Sequence, residues 1–359
     1  MFNTQSQFSI FNLVPNITKA LLVFNMNVQQ RIKLLVRLGT YMISSDEDWA
    51  LARKKATAAN PWFTPEFIDI SVKNIVNEFL DEDNLISFAA MYGIPDENPA
   101  PKKIGLVMAG NIPLVGFHDW LCIFLSGNIA IVKPSSKDEI LFKNLVEKLD
   151  SWDGEINQLV FFQALLKDCN AYIATGSNNS GRYFDQYFAK YPHIIRRNRT
   201  SVAILTGNES QDELELLADD IHLFFGLGCR NVTKIFVPKD YDFIPLIASF
   251  NKYIQFGDHH KYKNNYDYQL AIQLLNKQYY MTNGSTLLIE NESPFSPISQ
   301  LNIEYYETLD GLPEKLNQDE RIQCIVGKNH IPFGSAQSPT LTDYADGVDT
   351  MHFLLNIEH

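Results

Sequence analysis

From Met26 to about residue 100, apolar positions recur at three- and four-residue spacing, with Ile32, Leu35 and Leu38 on one face, which predicts helices. The polar, proline-containing run 94–102 predicts a loop. Beyond it the texture changes to short apolar runs: IGLVM (104–108), IAIV (129–132), QLVFF (158–162), AYIA (171–174) and SVAIL (201–205). Residues 136–149 and 180–189 between them have helical spacing, and the first of these opens with a capping-box pair, Ser136 and Glu139. Strand–helix alternation of this kind predicts an α/β domain on a parallel sheet.

A second block follows. Residues 212–225 predict an amphipathic helix with Leu214, Leu217, Ala218, Ile221 and Phe225 on one side. Then come the turn Gly226-Leu-Gly228-Cys229, a strand at 233–237, a helix near 265–279 and strands near 285–289 and 323–326. The boundary between the blocks is expected around 206–212. Residues 1–25 read as an extension or a mis-assigned start: Lys19, their only basic residue, follows the first apolar cluster, unlike a signal peptide. Residues 334–359 read as a tail that packs back on the body or on another subunit.

Composition narrows the function classes. With 359 residues, 45% apolar and 20% charged, the chain has core enough for two globular domains. A net charge of −12 without a Lys/Arg block argues against nucleic acid as a partner. Four scattered cysteines with no CxxC pair predict reduced thiols, hence a cytoplasmic location and no metal site. The apolar stretch 104–132 lacks Lys, Arg and Glu, but Asn111, Pro113, His118, Asp119, Gly127 and Asn128 interrupt it, so no membrane span is expected.

Four motifs place chemistry at element ends. Cys229 follows two glycines and a helix, where backbone approaches a ligand closely and amide N–H groups face it. Such donors lower a thiol's pKa and hold an oxyanion; the alternative is a small buried hydrophobe, as Cys122 and Cys169 read. Asn111 follows the 104–108 run, where its amide either enters the ligand crevice of a parallel sheet or closes a turn. Lys133, at the next strand end, pairs with phosphate or ribose hydroxyls or stays solvated. Gly176 and Ser177 precede a helix expected to start near Ser180, whose N–H groups suit a pyrophosphate.

Taken in order, these motifs resemble the aldehyde dehydrogenase superfamily and, within it, the LuxC-like fatty-acyl-CoA reductases. The likeness is carried by AGNIPLVGFHDWL (109–121), SGNIAIVKPSS (126–136), ATGSNNSGRYF (174–184), FGLGCRNVTKIFVP (225–238) and FGSAQSPTLTDYADGVDTM (333–351). The resemblance implies a doubly wound NADP(H)-binding domain (26–210), a smaller α/β catalytic domain (211–333) and an active site between them. It implies that Cys229 is the thiolate nucleophile and that Asn111 is an oxyanion donor beside the Cys229 N–H. Lys133 would hold the adenosine ribose or its phosphate, and Gly176 and Ser177 the pyrophosphate or nicotinamide side. A homo-oligomer is the family default.

Two departures sharpen the expectation. Hydrolytic members carry Glu-Leu-Gly-Gly, whose Glu activates water; the matching residues 203–208 have no acid there, although Glu209 stands near as a displaced base. That fits a reductase, which releases its acyl group by hydride transfer. NAD-preferring relatives place a Glu three residues after the lysine; here it is Ser136, beside Lys137, which favours NADPH. His222 reads as an acid upstream of Cys229 or as a satisfied helix histidine. Arg196, Arg197 and Arg199 read as contacts to phosphates of CoA or NADPH, or as a solvated loop. The expected reaction is NADPH-dependent reduction of a long-chain fatty acyl-CoA to its aldehyde through an acyl-cysteine. The alternatives are a non-catalytic or partner-dependent subunit that holds the acyl group, served by an acyl donor protein, and an acyl-phosphate reductase.

Overall fold

The computed structural model describes residues 26–176 and 178–357. The expected extension 1–25 and Ser177 lie outside the described residues. Four helices come first: α1 (Val28–Met42), α2 (Glu47–Ala59), α3 (Pro65–Asn74) and α4 (Glu82–Met91). Asn27 and Gln30 cap α1 reciprocally, and Ile32, Leu35 and Leu38 are buried from its inner face. Thr64 accepts the Phe67 N–H at the start of α3, with Pro65 in the first turn. Between α3 and α4 the helix widens into a π turn, Ile75–Phe79, which nothing in the apolar spacing announces.

The alternating region follows as β1 (Lys103–Val107), α5 (Phe117–Leu125), β2 (Ile129–Lys133), α6 (Glu139–Trp152), α7 (Ile156–Leu159), β3 (Val160–Phe162), β4 (Ala171–Thr175), α8 (Asn178–Phe188) and β5 (His193–Arg196). The strands form one all-parallel sheet in the order β3-β2-β1-β4-β5. In that order the connections leave β1 in opposite directions, opening a crevice at the carboxyl ends of β1 and β4. Gly105 is required in β1, because a Cβ there would stand 2.6 Å from the Tyr172 ring.

The capping box expected at Ser136 does not form. Helix α6 starts later, with Asp138 at its N-cap and no side-chain cap bond, and Ser136 is exposed. Asp138 turns inward instead, its Oδ2 accepting the Leu114 N–H at 2.6 Å, while the Ser135 hydroxyl accepts the Lys137 N–H.

The second block comprises β6 (Thr200–Ile204), α9 (Gln211–His222), β7 (Val232–Pro238), α10 (Phe243–Ser249), α11 (His260–Asn276), β8 (Met281–Thr282), β9 (Leu287–Glu290), β10 (Gln300–Tyr306), α12 (Leu312–Asn317), β11 (Ile322–Gly327) and a last helix, α13 (Thr350–Leu355). Its sheet runs β11-β6-β7-β10-β9-β8, parallel except for the edge strand β8. The change of sheet therefore falls between Arg196 and Thr200, ahead of the expected 206–212. A parallel neighbour of β5 would need a crossover of about a dozen residues, and 197–199 cannot supply one. Helix α9 likewise ends at His222, because Phe224 and Phe225 adopt left-handed backbone (φ 55° and 56°).

Two cores result. The larger packs α1, α2, α4 and the first sheet, and takes in Leu341, Tyr344, Met351 and Leu354 from the chain's end. The smaller lies on the second sheet and includes Phe67 of α3, whose ring meets Phe225 edge-on at 4.9 Å. An N-terminal helix thus buttresses the loop that carries Cys229.

Candidate active site

Cys229 follows, three residues on, a run of three left-handed positions. Phe224 and Phe225 are held at positive φ, followed by Gly226 at 73°. Bulky residues avoid this conformation, and it persists only where packing over-determines it. Phe67 and Trp62 supply that packing, 5.3 and 5.2 Å from Phe224 and Phe225 respectively. Asn231 secures the rest: its Oδ1 accepts the Gly228 N–H at 2.8 Å, and its Nδ2 donates to the Leu223 carbonyl at 2.9 Å. Ser201 Oγ donates to the Cys229 carbonyl at 3.1 Å. The thiol is half-buried, and burial pushes it up to about 11, with Arg230 pulling the other way. The lowering expected from nearby amides is thus outweighed by desolvation in the unliganded site.

Asn111 reaches this loop from the other block. Its Nδ2 donates to the Leu227 carbonyl at 2.7 Å, two residues ahead of Cys229. One of the two amide hydrogens is therefore committed to holding the turn that carries Cys229. On the same stretch Leu114 is left-handed (φ 58°), fixed by Asp138 beneath it and by Ser71, whose hydroxyl donates to the Pro113 carbonyl at 2.6 Å.

Cys229 opens into a cavity of about 150 Å³, whose apolar wall includes Ile75, Phe79, Ile112, Leu114, Val115 and Phe224. Two of these come from the π turn, a geometry that pushes side chains out of helical register toward one place. A space of this order accommodates about six carbons. His118 lies along it, 4.9 Å from Phe79 and 5.4 Å from Tyr344. Burial lowers its pKa, and its Nε2–H donates to the Leu341 carbonyl at 3.0 Å, so it is a neutral wall residue. Asp343 also lines the cavity, but its Oδ2 accepts from the Thr340 N–H and hydroxyl, both at 2.8 Å.

A second hollow, about 570 Å³, lies at the carboxyl edge of the first sheet between the 164–168 loop and α8. Val107, Lys133, Leu165, Tyr183 and Tyr187 line it, and Lys133 is exposed at the end of β2. Gly176 directly follows β4 and has no room for a side chain, since a Cβ would stand 2.9 Å from both Ser180 and Phe184. Its close approach is to α8 itself. Val107 borders this hollow, and four residues further on Asn111 touches the Cys229 loop. A long, jointed ligand lying across the end of β1 would therefore span from Lys133 to the thiol.

Comparison with known proteins agrees with this geometry. Residues 97–246 match the family described as acyl-CoA reductase (LuxC). The likeness lies in this stretch, which is less than half of the chain. No curated protein sequence matches it. Among solved structures, it superposes on an NADP-dependent enzyme from E. coli with a TM-score of 0.63 at 12% identity, covering 84% of this chain and 73% of that one. For glyceraldehyde-3-phosphate dehydrogenase from Methanocaldococcus jannaschii, complexed with NADP, the TM-score is 0.60 at 12% identity, covering 84% and 76%. For NAD-dependent aldehyde dehydrogenase from Sinorhizobium meliloti it is 0.61 at 10% identity, covering 84% and 70%. The fold is that of the aldehyde dehydrogenases, and the matched family is one of oxidoreductases.

The remaining candidates stand away from the thiol. His222 is buried; its Nδ1 lies 2.8 Å from the Ala218 carbonyl and its Nε2 2.9 Å from Thr286 Oγ1, and desolvation holds it down at about 4. Both ring nitrogens are engaged, and it does not line the Cys229 cavity. Glu209 folds onto its own turn, accepting the Thr206 N–H at 2.6 Å and the Gly207 N–H at 3.0 Å. The three arginines are neither solvated together nor turned to a phosphate. Arg196 is buried against Asp119 and Thr350, Arg197 pairs with Asp185, and Arg199 with Asp346. No helix among the described residues is long and apolar enough to cross a membrane, and no His/Cys/Asp/Glu group among them suits a metal ion.

Proposed function

We propose that this protein reduces a fatty acyl-CoA thioester to the aldehyde, using NADPH and a covalent acyl-Cys229. The observation that carries the reading is a lone thiol on a strained, buttressed loop, facing an apolar cavity on one side and the cofactor-type crevice of a parallel sheet on the other. Cys229, once deprotonated, attacks the thioester carbonyl; the carbon–sulfur bond to CoA breaks, and the CoA thiolate leaves and takes up a proton. Lys133 would hold the ribose side of a nicotinamide dinucleotide in the hollow beside Tyr183 and Tyr187, and the bound cofactor supplies a hydride. The thiohemiacetal left on Cys229 then breaks its carbon–sulfur bond, releasing aldehyde and restoring the thiolate. The carboxylates of Glu209 and Asp343 are each committed to hydrogen bonds in their own turns, which suits a site that must keep its thioester from hydrolysis. Four free cysteines accord with a cytoplasmic protein, and we read it as a homo-oligomer on the superfamily pattern.

The test is loss of NADPH absorbance with a panel of acyl-CoAs, run beside Cys229→Ala. Turnover by the native protein that disappears in the variant supports the reading. Labelling of Cys229 by an activated acyl group without turnover on any CoA ester points to an acyl donor protein. The absence of both labelling and turnover would overturn an enzymatic role.

Cofactor choice is tested separately. Ser136 is exposed, three residues after Lys133. Ser136→Glu would place a carboxylate where a 2′-phosphate is expected, and should raise KM for NADPH by about tenfold or more while sparing NADH. Equal effects on the two cofactors would remove Ser136 from the phosphate subsite.

A further inference from the structure

The segment 334–337 is held more firmly than a simple connection requires. The Asp220 carboxylate accepts the Gly334 N–H at 2.7 Å and the Ala336 N–H at 3.0 Å. Arg230 Nε donates to the Ala336 carbonyl at 2.6 Å, and Asn74 Nδ2 donates to the Gln337 carbonyl at 2.9 Å. All of these bonds restrain backbone, and three separate elements contribute them. The side chain they position is Gln337. It is only 8% exposed, and it lines the Cys229 cavity. Its Oε1 lies 3.7 Å from where a Cβ on Gly228 would stand, so the amide covers the residue just before the nucleophile. Its Nε2 is buried without a hydrogen-bond partner.

A buried amide donor without an acceptor is costly, and a fold that fixes one beside a nucleophile leaves it ready for an acceptor that arrives with substrate. Asn111 spends one amide hydrogen on Leu227 and does not line this cavity, whereas Gln337 does. We propose that Gln337 is a further catalytic residue, whose side-chain N–H donates to the acyl carbonyl oxygen held on Cys229. This deepens the thioester-reductase reading and rests on it. The donor matters most when that oxygen carries negative charge, during thiol attack and again during reduction, so its effect falls on rate more than on binding.

The experiment compares native protein, Gln337→Met and Gln337→Glu for kcat, KM, the burst of Cys229 acylation and Tm. Methionine keeps the length and removes the donor; glutamate keeps the shape and replaces the donor by an acceptor. The expected result is a loss of about 100-fold in kcat for Gln337→Met, an equal or larger loss for Gln337→Glu, and KM for acyl-CoA within about twofold. Tm of the Met variant should not fall, because an unpartnered buried amide is removed. Full activity in Gln337→Met, or a loss of activity that tracks a fall in Tm, would overturn the assignment. Failure of the native protein to reduce any thioester is seen before the variants are compared; it defeats the functional reading, and the assignment falls with it.

Discussion

Replacing Cys229 by alanine is expected to lower turnover by about four orders of magnitude or more, with the fold and NADPH binding retained. No other thiol can substitute. Cys122 and Cys169 are buried in the first core, and burial raises both thiols above their ordinary value. Cys324 is tied to Ser201, whose Oγ lies 3.0 Å from its Sγ. The same site predicts a pH dependence. Burial favours the neutral form of Cys229 and holds it at about 11 before substrate binds, so thiolate is scarce at neutral pH. Its reactivity should therefore rise with pH and be lost as pH falls. Alkylation of Cys229 by iodoacetamide should accelerate about tenfold per pH unit across the neutral and mildly alkaline range. Fast, pH-independent alkylation would show that the amides of the loop dominate over desolvation.

The largest effect on stability is expected from Arg196→Met. The guanidinium is 2% exposed; it donates to Asp119 Oδ1 at 2.7 Å, to Thr350 Oγ1 at 2.7 Å and to the Ala345 carbonyl. Removing it leaves the Asp119 carboxylate buried and uncompensated, which costs about 3–5 kcal/mol. It also unfastens the chain's end from α5, and with it Ala345, which lines the Cys229 cavity. Chemical denaturation should show a lower midpoint, and the double variant with Asp119→Asn should recover part of the loss, because the orphaned charge is gone. A midpoint shift no larger for Arg196→Met than for Arg197→Met, whose partner Asp185 is solvent-exposed, would contradict this account.

Position relative to element ends explains which parts of the site could be read from residue order. Asn111, Lys133, Gly176 and Cys229 all stand at element ends, where a strand or helix pattern stops and a polar or small residue follows, so local spacing marks them. Gln337, His118 and the π turn at 75–79 carry no such mark. Gln337 lies in a stretch without helix or strand period, and its burial depends on Asp220, Arg230 and Asn74, which are remote in sequence. Ser136 illustrates the opposite error: its capping signature is genuine as a pattern, but Asp138 finds a better partner in Leu114 across the crevice.

By itself the sequence determined the alternation of strands and helices, the parallel character of the first sheet and the cysteine proposed as nucleophile, because periodicity, glycine placement and residue chemistry are local properties. Tertiary structure decided what those residues meet. Three linking residues sent β6 to a second sheet, Phe67 and Trp62 held Phe224 and Phe225 in left-handed backbone, and burial kept Cys229 protonated and His222 neutral. Each of these depends on desolvation or on contacts between residues far apart in the chain, and neither quantity is carried by any short stretch of sequence.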